Sequence, residues 1–243
     1  VISWHTNSLG MLWREVEVRK ASGITRVAFV GDSFTAGGSA RDYSTGFVGI
    51  VDAALDRRRF EVLNFGMGGY GLHEIHEQII QEVVRFSPDL IVLSVFTGND
   101  FRDTFFGFDT GVDRDGGLMR IPTKDARRAQ VAAEEVPGPA DYLDFDALNS
   151  FASYTYWSRR DYSPLAAQAV DESLDYLNQI HEFCLTRGIG LFVAAVPYEQ
   201  QVTTSHPVND VYDVGLPQSH VESWAEGRGV PYLDLLPVCV FLI

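Results

Sequence analysis

Short apolar, β-branched runs alternate along this chain with segments of helical apolar spacing. Arg26–Val30, Phe60–Leu63, Leu90–Phe96, Ile189–Val196 and Val230–Leu236 read as strands. Between them, 46–58 carries Phe47, Ile50, Val51, Ala54 and Leu55 on one helical face, and 72–86 carries Ile75, Ile79, Ile80 and Val83. Pro88 stops the second of these helices. Asp171–Arg187, closed by Gly188, and Gln218–Gly227 read as further helices. Strands that alternate with helices predict a parallel sheet with right-handed crossovers and both faces covered. The 243 residues suffice for one such α/β domain.

Three strand ends carry the chemistry. Gly31-Asp32-Ser33-Phe34-Thr35 follows the first strand, where glycine permits a tight turn and the serine is presented beyond the sheet. Asn64-Phe65-Gly66-Met67-Gly68-Gly69-Tyr70-Gly71 follows the second, and its glycines let a backbone N–H approach a substrate oxygen. Thr97-Gly98-Asn99-Asp100 follows the third, where an asparagine carboxamide can be aimed at the same oxygen. Ligands of open α/β sheets bind beyond the carboxyl ends of the strands. A nucleophile with two oxyanion donors there describes acyl transfer through a tetrahedral intermediate. Each residue also has a plainer role open to it. Ser33 could cap a helix, Gly69 could serve a turn, and Asn99 could cap one.

These three blocks, in this order, resemble the SGNH hydrolases, the GDSL-type esterases and lipases. The resemblance covers roughly residues 24–100, with weaker support to 236. Asn7-Ser8-Leu9-Gly10 resembles a segment found ahead of the first strand in bacterial members. The resemblance implies a three-layer, flavodoxin-like sandwich around a five-stranded parallel sheet. It implies that Ser33 is the nucleophile and that Gly69 and Asn99 are oxyanion donors. It also implies that no metal or organic cofactor takes part. The expected activity is cleavage of carboxylic esters, with a small-molecule or glycan-linked ester as substrate. Two rival readings are a catalytically silent binding module of the same fold and an acyltransferase acting on a glycan hydroxyl.

One block of the family is missing. An Asp-x-x-His after the last strand supplies the base in family members. The chain has no Asp-x-x-His, and His5, His73, His76, His181, His206 and His220 all precede the last strand. The apolar ending Val238–Ile243 lacks the polar residues of a surface terminus, so a longer native chain is expected. A lost base, or a surrogate such as His73, would be the alternatives. An unassisted serine hydroxyl is a poor nucleophile, so residues 1–243 are expected to turn over esters slowly.

Residues 101–165 interrupt the alternation with a phenylalanine cluster, a turn-rich stretch and Tyr154-Thr155-Tyr156-Trp157. So long an insertion beside the proposed oxyanion asparagine predicts a cap or lid within a single domain spanning 1–243. The net charge of −14 argues against a nucleic-acid backbone as partner. No run of ~18–20 apolar residues is present to span a bilayer. The chain opens on Val1, so the lack of a leader places no constraint on compartment. Cys184 and Cys239 read as free, buried thiols. His73 and His76, with Glu74 and Glu77, suit a solvated helix face better than zinc, since no third ligand is indicated. Gly31–Gly38 fits neither dinucleotide nor P-loop spacing.

Overall fold

The structure is a computed structural model that describes residues 6–38, 40, 42–106, 108–112, 118–122, 154–203 and 211–241. The five expected strands form one parallel sheet. They are β1 (Thr25–Val30), β2 (Phe60–Asn64), β3 (Leu90–Phe96), β6 (Gly190–Val196) and β7 (Tyr232–Asp234), in the order β2-β1-β3-β6-β7. This is the flavodoxin-like order, which reverses direction between β1 and β3. The register pairs Ala28 with Leu63 on one side and with Ile91 on the other. Ala28, Val30, Val62, Leu63, Ile91, Leu93, Val193 and Ala195 are fully or almost fully buried, as strands covered on both faces require.

Because the chain moves one way from β1 to β2 and the other way thereafter, right-handed crossovers put the first helix on one face and the later ones on the opposite face. The first is α2 (Phe47–Ala54), which packs against β2. The others are α3 (Leu72–Gln81), α5 (Pro164–Arg187) and α7 (Leu216–Arg228), with α5 touching both α3 and α7. They bury Leu72, Ile75, Ile79, Leu177, Ile180, Val221 and Ala225. Ahead of β1, Asn7 closes a turn by accepting from the Leu9 and Met11 amides, and the Trp13 indole donates to the Val62 carbonyl. That segment contacts the outer edge of β2 at Val62.

Several boundaries differ from the expected ones. The expected 46–58 helix ends at Ala54, because Asp56 accepts from the Arg58, Arg59 and Phe60 amides and turns the chain into β2. Residues 72–86 split into α3 and a 3-10 turn, Val83–Phe86, ended by Ser87 in the left-handed region. The helix expected from Asp171 begins at Pro164, capped by the Ser163 hydroxyl on the Ala166 amide. The last strand shrinks to Tyr232–Asp234, because the Asp234 carboxylate caps a short helix, α8 (Leu236–Phe241), through the Leu236 amide. Within 101–165, the structure describes α4 (Asp100–Phe106), a hairpin of β4 (Phe108–Val112) and β5 (Leu118–Pro122), and the turn Tyr154–Ser158. Much of the expected lid, and His5 and His206, lie outside the described residues.

Candidate active site

Ser33 opens α1 (Ser33–Ala36), a single helical turn directly beyond β1. Asp32 caps it, accepting from the Phe34 amide at 2.9 Å. Gly31 makes the turn possible. A Cβ there would stand 2.3 Å from Thr35 Oγ1 and 2.9 Å from the Ser94 carbonyl. The Ser33 hydroxyl contacts Asp32 Oδ2 at 3.4 Å. Beside it lies an open cleft of about 400 Å³ whose described lining is Ser33, Phe34, Gly37, Gly38, Ala40, Gly46 and Phe47. Phe34 and Phe47 leave apolar surface exposed there.

The segment after β2 is built around α1. The Asn64 carboxamide donates to the Thr35 carbonyl at 3.0 Å, and the Met67 amide donates to the Gly31 carbonyl at 2.9 Å. Gly66 lies so close to α1 that a Cβ would meet the Ala36 nitrogen at 2.1 Å. Gly68 stands against the serine, since a Cβ there would lie 3.8 Å from Ser33 Cβ. Gly69 follows with φ +76°, a left-handed turn suited to glycine.

Asn99 sits at the carboxyl end of β3, adjacent to β1 in the sheet. Its Nδ2 donates to Asp103 Oδ2 at 2.9 Å, and Asp103 is held in turn by Arg102 Nε at 2.8 Å. One N–H of the carboxamide is left for another acceptor. Asp103 went unread in the sequence, although its i, i+4 spacing from Asn99 is the signal of a helical pair. Asp100 is fully buried and accepts from the Phe96 amide. Thr104 Oγ1 donates to the Asp100 carbonyl and accepts from the Leu72 amide, which ties α4 to the start of α3.

The three aspartates interact. Burial first, then the negative charge of Asp103, pushes the Asp32 carboxyl up to about 6. Burial and the charge of Asp32 hold Asp100 well above the usual carboxylate range. Phe34 stacks on Phe96 with centroids 4.0 Å apart, and Phe96 meets Tyr154 edge-on at 5.4 Å. The far end of the insertion therefore reaches an aromatic group one residue from Ser33.

The four described histidines lie against aromatic rings elsewhere. His73 and His76 face Tyr176 of α5, His181 faces Trp224, and His220 lies between Phe101 and Tyr162. Burial lowers the His220 pKa. Among the described residues, no imidazole hydrogen-bonds to Ser33, and no group of three or more His, Cys, Asp and Glu could hold a metal. No described helix is long and apolar enough to cross a membrane. Cys184 and Cys239 are free thiols; Cys184 is buried as expected, whereas Cys239, on the short α8, is only half-buried.

The strand order and the three loaded strand ends define an α/β fold of the GDSL/SGNH type. The model of the GDSL-like lipase/acylhydrolase family matches residues 29–240, and the chain belongs to that family. Among solved structures, the acetyl xylan esterase AlAXEase is 13% identical, with a TM-score of 0.52 over 88% of this chain and 79% of its own. A catalytic mutant of Axe2, an acetylxylan esterase from Geobacillus stearothermophilus, is likewise 13% identical, with a TM-score of 0.50 over 90% of this chain and 79% of its own. At such identity the likeness is one of fold. A search of curated protein sequences finds no match.

Proposed function

We propose that this protein is a serine acylhydrolase that cleaves carboxylic esters through an acyl-enzyme on Ser33. One observation carries the reading: Ser33 stands at a cleft beyond β1, while the segments that follow the flanking strands β2 and β3 carry Gly68-Gly69 and Asn99. Ser33 Oγ attacks the ester carbonyl and passes its proton to a base. The carbonyl electrons move onto oxygen, held by the N–H groups of Ser33 and Gly69 and by Asn99 Nδ2. Collapse of the intermediate expels the alcohol, which takes up the proton, and water then releases the acid. Asp103 orients Asn99, so that the carboxamide presents nitrogen rather than oxygen to the developing charge.

The acyl group lies in the cleft against Phe34 and Phe47, where glycine backbone leaves room for it. Tyr154, edge-on to Phe96, stands on the side taken by the alcohol. A carbohydrate ester as substrate is favoured by Tyr154, 40% accessible, whose ring can stack on a sugar. The fold likeness to two acetylxylan esterases agrees with it.

The test is turnover of an aryl acetate, an aryl octanoate and acetylated xylo-oligosaccharides, with imidazole supplied as external base. The proposal expects hydrolysis above the imidazole-only background, which Ser33→Ala returns to that background. Equal rates in Ser33→Ala would overturn it.

A further inference from the structure

A second cavity, of about 430 Å³, opens at the opposite edge of the sheet, where β1 and β2 begin. β1 spans six residues, so this cavity is roughly 20 Å from Ser33 at ~3.3 Å per residue. Its wall includes Arg14, Arg19, Arg26 and Arg57. In a chain of net charge −14, four guanidiniums on one small cavity are out of keeping with the rest of the molecule.

Their pairing separates structural from available charge. Arg26 is buried and spent. It donates to Glu61 at 2.7 Å and to the carbonyls of Val18, Phe86 and Glu17. Arg14 and Arg57 share one buried carboxylate, Asp52, at 3.1 and 2.7 Å through Nη2 of each. Arg19 is exposed and makes no hydrogen bond or ion pair among the described residues. Asp52 therefore offsets only one of Arg14 and Arg57, Glu61 offsets Arg26, and Glu17 on the rim offsets one more. On the wall itself a single positive charge is left over, and Arg59, 5.6 Å from the Phe60 ring centroid, adds cationic character beside it. Arg57, with a side chain 64% exposed, and Arg19 hold it where a ligand can reach. Ile24, Ala21 and Phe60 supply an apolar wall beside it.

One net positive charge beside an apolar wall suits an anion of single charge that carries a hydrocarbon tail. We propose that this cavity binds an amphiphilic monocarboxylate, its carboxylate on Arg57 and Arg19 and its tail along Ile24 and Phe60. Guanidinium–carboxylate pairing fixes the head group, and tail burial adds affinity. A phosphate dianion fits worse, because Glu17 and Glu61 flank the same space.

The experiment is calorimetric titration of the folded chain with sodium octanoate, with 1-octanol and with inorganic phosphate. The proposal expects saturable octanoate binding that octanol and phosphate do not match. Arg19→Gln and Arg57→Gln should each weaken it about fivefold to tenfold, in line with loss of one charge-assisted contact. Both side chains are solvent-facing, so both variants should fold, and circular dichroism checks that they do. Arg228→Gln, an exposed arginine at the end of α7 that lines neither cavity, should leave the binding unchanged. The proposal falls if octanoate shows no saturation by about 10 mM, a concentration that already detects very weak sites. It also falls if octanol or phosphate binds as well, if neither arginine variant weakens octanoate, or if Arg228→Gln weakens it as much.

Discussion

Asn99 and Asp32 show how single side chains at this site are set by their surroundings. Asn99 has one carboxamide N–H held by Asp103, which leaves the other for a further acceptor, in the proposed mechanism the oxyanion. With imidazole supplied as base, Asn99→Ala should lower kcat on a soluble aryl ester by about 10²–10³ while leaving the unfolding midpoint nearly unchanged. An unaltered kcat would remove Asn99 from the oxyanion site. Asp32 carries a different signature. Its carboxyl is raised from an ordinary 3.8 to about 6, chiefly by burial. A carboxyl raised in the folded state binds its proton more tightly there than in the unfolded chain. Its contribution to stability is therefore fully present below pH 4 and is lost as pH rises through 6. Asn is as good an N-cap as Asp and carries no charge. Asp32→Asn should thus be more stable than the parent above pH 6, by on the order of 1–3 kcal/mol, with the gain gone below pH 4. Urea unfolding of both proteins from pH 4 to 8 measures this, and a pH-independent difference would contradict the burial argument.

At the scale of elements, the site depends on how closely the β2 loop approaches α1. Gly66 has no unusual backbone angle, yet a Cβ there would stand 2.1 Å from one α1 backbone atom and 2.4 Å from another. Backbone cannot swing aside as a side chain can. Gly66→Ala should cost about 1–3 kcal/mol through overpacking, read as a lowered urea midpoint, and should slow reaction at Ser33. An unchanged midpoint would show that the loop is not held against α1. The elements themselves were legible in the sequence wherever one face is apolar. The five strands and α3, α5 and α7 follow from period and breakers. Boundaries were less so, because they rest on local hydrogen bonds. Asp56 ends α2 early, Ser163-Pro164 starts α5 a full seven residues before Asp171, and Asp234 turns the last strand into a helix. The candidate residues Ser33, Gly69 and Asn99 stood out in the sequence because they follow the ends of apolar strands. Asp103 and the Phe34–Phe96–Tyr154 group did not, because they arise from contacts between separate elements.

At the scale of the whole molecule, the sheet brings three distant strand ends to one edge and leaves a second, arginine-lined cavity at the other. A buried amide network holds the far side of the reactive edge. Gln201 and Gln218 exchange hydrogen bonds at 2.8 and 2.9 Å, and Gln218 Nε2 reaches Thr97, which bonds across to the Val196 carbonyl. β3 and β6 are thereby pinned just beyond their last ladder residues, next to Asn99. In the proposed reading this edge holds Asn99 for the oxyanion, whereas the proton of Ser33 has only Asp32, at a long 3.4 Å, among the described residues. Oxyanion donors alone sustain a residual ~10³–10⁴ over water in triad-stripped serine enzymes. The measurement that bears most directly on the account is therefore covalent labelling by a fluorophosphonate, followed by intact-mass and peptide mass spectrometry with and without added imidazole. The account predicts a single adduct on Ser33 that forms slowly alone, forms faster with imidazole, and is absent in Ser33→Ala. No adduct under either condition, or an adduct on another residue that persists in Ser33→Ala, would contradict it.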